Sequence, residues 1–181
     1  MALSRRDLLR GVGALAVAGG AAAAVAASGR PAPQVWQIDP DRCTRCGRCA
    51  TACVLSPSAV KAVHAAAICG YCDLCTGFFR TEAPELSTAA ENQLCPFAAI
   101  KRTFVEDPYF EYAVDESACV GCARCVQGCS AYGNGSLFLQ IRHDRCANCN
   151  QCRIAAECPS QAITRVPADA PYRIKSRAGK T

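Results

Sequence analysis

Aromatic residues are scarce in this 181-residue chain: six Phe, five Tyr and one Trp make up 7% of it. So little bulk excludes a large conventional core, and a small domain short of apolar surface needs bridges or metal to hold it together. Histidine is nearly absent, with only His64 and His143, and both read as surface or supporting residues, not ligands. No Ser-His-Asp order, carboxylate pair, phosphate loop or G-x-G-x-x-G run stands out, so no independent active site is visible. The reading is of a chain that is not an enzyme and has no small-molecule substrate of its own. A basic patch interleaved with aromatics is missing too, which argues against nucleic acid as a partner.

What the chain has in excess is cysteine, sixteen residues of it. The pattern starts at Cys43, Cys46, Cys49 and Cys53, spaced C-x2-C-x2-C-x3-C. Near-copies follow at Cys69, Cys72, Cys75 and Cys95, at Cys119, Cys122, Cys125 and Cys129, and at Cys146, Cys149, Cys152 and Cys158. Four sets of four leave no thiol over. This density also marks small disulfide scaffolds, but thiols so close in sequence would mostly form strained local loops. Zinc sites commonly use two C-x2-C pairs, and a third cysteine at the same step is surplus to them. The spacing suits iron–sulfur cubes: three thiolates curl around one face and a fourth closes the site from further along the chain. Four 4Fe–4S clusters are therefore expected. The second and fourth sets depart from the pattern, with nineteen residues between Cys75 and Cys95 and five between Cys152 and Cys158. Both, however, end in Cys-Pro, a feature of bacterial cluster-binding runs.

The sets are arranged as an internal repeat. Ile38-Asp39 and the set at Cys43 match Val114-Asp115 and the set at Cys119. Likewise Cys95-Pro96-x2-Ala99-Ile100 matches Cys158-Pro159-x2-Ala162-Ile163. The chain divides into a leader at 1–30, two-cluster units at 31–105 and 106–168, and a basic tail at 169–181. Each unit is expected to be α+β, with short strands and helices wrapped around its clusters. Val35-Trp36-Gln37-Ile38, Tyr112-Ala113-Val114 and Leu137-Phe138-Leu139-Gln140-Ile141 read as strands, and residues 84–92 as a short helix. Residues 103–111 read as a bridge between the halves. Asp39, Asp41, Asp115 and Asp144 read as turn or capping residues before cysteine sets, and the tail as a solvated, frayed terminus.

The leader carries Ser4-Arg5-Arg6-Asp7-Leu8-Leu9-Arg10 ahead of an uncharged stretch rich in Ala and Gly. This resembles the twin-arginine (Tat) export signal of bacteria, with a cleavage site around 24–27. A retained membrane anchor is the alternative, since the uncharged run approaches spanning length. Cleavage would remove three arginines and one aspartate, taking the formal charge from +5 to +3. Four oxidised cubes at about −2 each would bring the total near −5, so the basic pI says little about partners.

The motifs at Cys43, Cys69, Cys119 and Cys146 resemble the bacterial 2×(4Fe–4S) ferredoxin family. The whole pattern, over about residues 35–166, is similar to the Tat-exported four-cluster ferredoxin-like subunits of periplasmic nitrate and nitrite reductase and molybdopterin oxidoreductase systems. The resemblance implies a duplicated ferredoxin-like α+β fold in the periplasm. It also implies electron relay between a membrane quinone-linked component and a periplasmic redox enzyme. In that family the fourth cysteine of one set closes the cluster of a partner set. Two pairings remain open. Tandem pairing joins the first set to the second, so that Cys95 closes Cys43, Cys46 and Cys49. Nested pairing joins the first to the fourth and the second to the third, so that Cys158 closes them.

Overall fold

The computed structural model describes residues 33–69, 95–106 and 109–176. The leader, Cys72, Cys75 and the helix expected at 84–92 lie outside the described residues. The element order is β1 (Gln34–Ile38), α1 (Cys49–Ala52), β2 (Val60–His64), β3 (Ile100–Glu106), β4 (Tyr109–Val114), α2 (Arg124–Tyr132), β5 (Leu137–Ile141), α3 (Arg153–Glu157) and β6 (Ile163–Pro167). Short strands mixed with one- and two-turn helices make this an α+β fold, consistent with a small ferredoxin-like protein. Among the described residues no helix is long and apolar enough to cross a membrane.

The strands form three antiparallel pairs, β1–β6, β2–β5 and β3–β4. Two of them join opposite halves of the chain: Ile38 faces Ile163, and Val60 faces Ile141. The third is a hairpin across residues 100–114, where the sequence suggested a simple bridge. The described residues from Gln34 onward belong to one compact unit, so the repeat boundary at 105/106 divides the sequence without separating two bodies.

β5 is buried at all five positions, as a short apolar run bounded by turn residues should be when packed on both faces. Leu139 and Ile141 join Val60 and Ala62 of β2, with Ile38, Ile163 and Ile154 nearby, in a core of medium-sized aliphatics. Gln37 ties the first sheet to the second. Its Oε1 accepts from the backbone N–H of Ile141 at 2.8 Å and its Nε2 donates to the Ile141 carbonyl at 3.2 Å. A buried amide with both ends satisfied is stable where an unpartnered one would cost several kcal/mol.

Asp39 and Asp115 make matching backbone contacts. Asp39 N–H donates to the Ala162 carbonyl and Asp115 N–H to the Ala99 carbonyl, both at 2.7 Å. The Asp39 carboxylate accepts from the N–H groups of Asp41 and Arg42, and that of Asp115 from those of Ser117 and Ala118. These two aspartates turn the chain as the sequence suggested. Asp41 and Asp144 are used differently: Asp41 accepts from the Ser176 N–H, and Asp144 faces Arg142 and Arg145 at 3.8–4.0 Å.

The expectation of a frayed tail is corrected up to Ser176. Tyr172 stacks on His143 with ring centres 5.0 Å apart, Arg173 pairs with Asp39 at 3.3 Å, and Lys175 donates to the Gly135 carbonyl at 3.0 Å. The two described basic side chains, Arg173 and Lys175, each find an oxygen beside a strand end, which composition alone did not reveal.

Gly121 packs against β2 with φ +74°, where a Cβ would stand 2.4 Å from the Val60 carbonyl oxygen. Strain of that backbone alone is worth about 1–3 kcal/mol in a residue with a side chain, and the overlap adds to it. Gly121→Ala is therefore expected to lower the denaturation midpoint clearly. A wild-type midpoint in chemical unfolding would contradict this packing.

Candidate metal centres

Strand pairing decides which thiols meet. β1 leads into Cys43 and β6 follows Cys158, so the Ile38–Ile163 pair brings those two cysteines together. β2 follows Cys53 and β5 precedes Cys146, so the Val60–Ile141 end of their ladder does the same for that pair. At the opposite end His64 faces Leu137, setting the approach to Cys69 beside the segment that follows Cys129. The β3–β4 hairpin pairs Ile100 with Val114 and so joins Cys95 to the loop that starts at Cys119.

The consequences are concrete. Cys43, Cys46, Cys49 and Cys158 all line one cavity of about 270 Å³, whose walls include Ile38, Leu139 and Ile163. Cys53, Cys146, Cys149 and Cys152 all line a second cavity of about 380 Å³, walled by Trp36, Leu55, Ile141 and Ile154. In the third set, Cys95 stands close enough to Cys125 to oppose its ionisation, together with Cys119 and Cys122. Of the second set's first three cysteines only Cys69 is described, and Cys129 is buried on α2. Among the described residues Cys158 thus joins the first triplet, Cys53 the fourth and Cys95 the third, the combinations of the nested pairing. Each short helix carries the chain between neighbouring sites: α1 starts at Cys49 and ends beside Cys53, while α3 runs between Cys152 and Cys158.

Backbone N–H groups point at the sulfurs. Arg45 donates to Cys43 Sγ, Leu55 to Cys53, Asn148 to Cys146 and Ala162 to Cys158, each at 3.4 Å, and Ala99 to Cys95 at 3.3 Å. The loops achieve this by entering the left-handed region at matching positions. Arg45, Gly121 and Asn148 are the third residue of their C-x2-C steps, with φ of +59°, +74° and +47°. Ala98 and Gln161, three residues past the closing cysteines, have φ of +50° and +49°. Non-glycine residues tolerate such strain only where the surroundings hold them there, a habit of functional loops.

The thiols respond to burial and to each other. Burial pushes the Cys49 thiol up to about 12, aided by Cys43, Cys46 and Cys158. Burial does the same for Cys125, up to about 12, with Cys95, Cys119 and Cys122 adding to it. Cys43 and Cys146 are also raised, mainly by burial, against the opposing N–H groups of Arg45 and Asn148. At Cys158 burial raises, but the Ser160 hydroxyl and the N–H groups of Ala162, Ser160 and Gln161 outweigh it and the thiol is lowered. Sulfurs that resist ionising together make sites suited to a cationic, thiophilic centre.

Among the described residues no three His, Cys, Asp or Glu side chains converge closely enough to hold a single metal ion. At the two sites where four cysteines line one cavity, the sulfurs surround a space, the arrangement that a cube with one thiolate on each iron requires.

The first and third sites abut. Gln127 on α2 donates from Nε2 to the Arg45 carbonyl at 2.7 Å, and a Cβ on Gly47 would stand 2.8 Å from the Cys122 carbonyl oxygen.

Among the described residues neither histidine groups with the thiols to hold a metal ion. His64 lies edge-on to Tyr112 with ring centres 6.0 Å apart, and His143 has Nε2 3.0 Å from the Trp36 carbonyl. Arg165 was not anticipated. Its guanidinium lies 4.4 Å over the Trp36 ring and donates to the carbonyls of Gln34, Cys149 and Asn150 and to the Asn148 side chain, clamping the fourth cysteine loop. Extending the repeat by two residues would have flagged it, since Ile100-Lys101-Arg102 aligns with Ile163-Thr164-Arg165. Arg102 is buried as well.

Comparison with known families matches residues 36–53 to the 4Fe-4S binding domain (Fer4). The match runs from β1 to Cys53 and contains every thiol of the first set. No curated protein and no solved structure matches the chain. The match supports an iron–sulfur, ferredoxin-like protein, and electron transfer through an iron–sulfur cluster is the function such a domain suggests.

Because the folded chain keeps Cys49 and Cys125 protonated up to about 12, an unfolded chain releases those protons first, from about pH 9. The folded state then binds more protons across that window. Cluster-free protein is expected to hold its full thiol-linked stability below about pH 9 and to lose it as the pH rises towards 12. Denaturant titrations at stepped pH measure this; stability rising across the window would be the contrary result.

Proposed function

We propose that this protein is an electron carrier with four 4Fe–4S clusters, exported by the Tat route to the periplasm. There it would relay electrons between a membrane quinone-linked component and a periplasmic oxidoreductase, without a substrate reaction of its own. The observation that carries the reading is the convergence of a C-x2-C-x2-C triplet and a remote fourth cysteine on one cavity, complete at two sites. The twin-arginine pattern at Arg5-Arg6 supports the address.

The ligand sets would be Cys43, Cys46, Cys49 with Cys158; Cys146, Cys149, Cys152 with Cys53; Cys119, Cys122, Cys125 with Cys95; and Cys69, Cys72, Cys75 with Cys129. When bound, such clusters supply reversible one-electron chemistry. The chain's own part is to hold the thiolates apart, wall them with aliphatic side chains and aim N–H groups at the sulfurs, the levers that set cluster potentials. Gly47 lies against the Cys122 carbonyl, so the first and third sites would be neighbours, which would favour exchange between them.

Iron and acid-labile sulfide on anaerobically purified protein test the reading, with about sixteen of each per chain expected. Colourless protein with about four zinc ions would make it a structural module instead. Nested pairing makes a second prediction. Cys46→Ser and Cys158→Ser should alter the same electron-spin signal, and Cys149→Ser and Cys53→Ser a different shared one. Coupling of Cys46 with Cys95 would instead restore the tandem arrangement.

A further inference from the structure

Lys61 lies in β2 with a relative exposure of 0%, a cation sealed inside the protein. Its Nζ donates to the Cys119 carbonyl. The residues beside it grip the same loop: Ala62 N–H donates to Cys119 Sγ at 3.4 Å, and the Val60 carbonyl packs on Gly121. The ion pairs among the described residues engage Arg142, Arg145, Arg153 and Arg173, and no carboxylate pairs with Lys61. An ammonium buried with one carbonyl for company is strongly unfavourable unless negative charge lies close by. The residue it touches, Cys119, belongs to the thiol group of Cys95, Cys119, Cys122 and Cys125. β5, which follows the third set as β2 follows the first, has the sequence LFLQI and no cation. The charge therefore belongs to one site and is not a feature of the repeat.

We infer that Lys61 is the built-in counter-charge of the third site, raising the reduction potential of the cluster held there above what a neutral residue would allow. The inference rests on the four-cluster reading. Reduction adds negative charge to the site, and a nearby buried cation favours that state more than the oxidised one. The Nζ bond to the Cys119 carbonyl also fixes the charge at the start of the ligand loop, so its effect should fall mainly on this site.

The test is an electron-spin-monitored redox titration of the full-length holoprotein as wild type, Lys61→Gln, Lys61→Met and Lys61→Arg. The third-site wave is identified as the one altered by Cys122→Ser. Gln keeps a donor without the charge, Met removes both, and Arg keeps the charge. In the two neutral variants that wave should move to lower potential by at least tenfold in its reduction equilibrium, about 59 mV for one electron. The other waves should stay in place, and Arg should restore most of the shift. Loss of the third cluster in the neutral variants but not in Lys61→Arg would equally mark a counter-charge. An unmoved wave in a neutral variant with wild-type iron and sulfide overturns the inference, as does loss of the cluster in all three variants. Failure of the underlying reading would look different: wild-type protein without iron or sulfide.

Discussion

The antiparallel ladder between β2 and β5 is the contact on which the other sites depend. Five residue pairs, from Val60–Ile141 to His64–Leu137, join strands 73 or more residues apart in sequence. One end of the ladder sets Cys53 beside the fourth thiol set, and the other sets Cys69 near the element carrying Cys129. Ladder hydrogen bonds and aliphatic burial thus do what the cysteines cannot do alone, which is to choose partners. Thiols at C-x2-C spacing are local and interchangeable; a buried strand pair tolerates no slip, because one residue of shift would turn its apolar face outward.

Packing and electrostatics pull in opposite directions around these sites. Aliphatic walls exclude water and raise the thiols, so four ionised sulfurs in one cavity are unfavourable by themselves. Backbone N–H groups, presented by loops held at positive φ, return part of that stabilisation to the charged form. Positive φ recurs at the equivalent position of three sets, taken by glycine at Gly121 and strained at Arg45 and Asn148. Repetition of an unfavourable backbone state ties it to a shared task, and the task consistent with every instance is cradling a sulfur-ligated centre.

The same tension gives Lys61 and Arg165 their meaning. One is a sealed cation against the third thiol loop; the other is spread over Trp36 and clamps the fourth through its carbonyl oxygens. Fixed positive charge at the loops offers the proposed clusters unequal surroundings, although the thiol motifs are near-copies. A duplicated chain can in this way acquire a graded series of sites by changing residues outside the motifs.

Much of this protein is legible in its sequence. The turn role of Asp39 and Asp115 and the strands at 35–38 and 137–141 follow from spacing and patterning, because each depends on neighbours within a dozen residues. The residues outside that reach were missed or left open. Trp36 beneath Arg165, Gln37 stitched to Ile141 and the tail folded back on Asp39 join positions more than 100 residues apart. The bridge expected at 103–111 became part of a hairpin because Ile100 and Val114 bury each other. Local covalent spacing is enough to show triplets of thiols and the chemistry they suit. Only the fold could bring Cys158 to the first triplet and Cys53 to the fourth, because strand pairing is what carries distant sulfurs to one cavity.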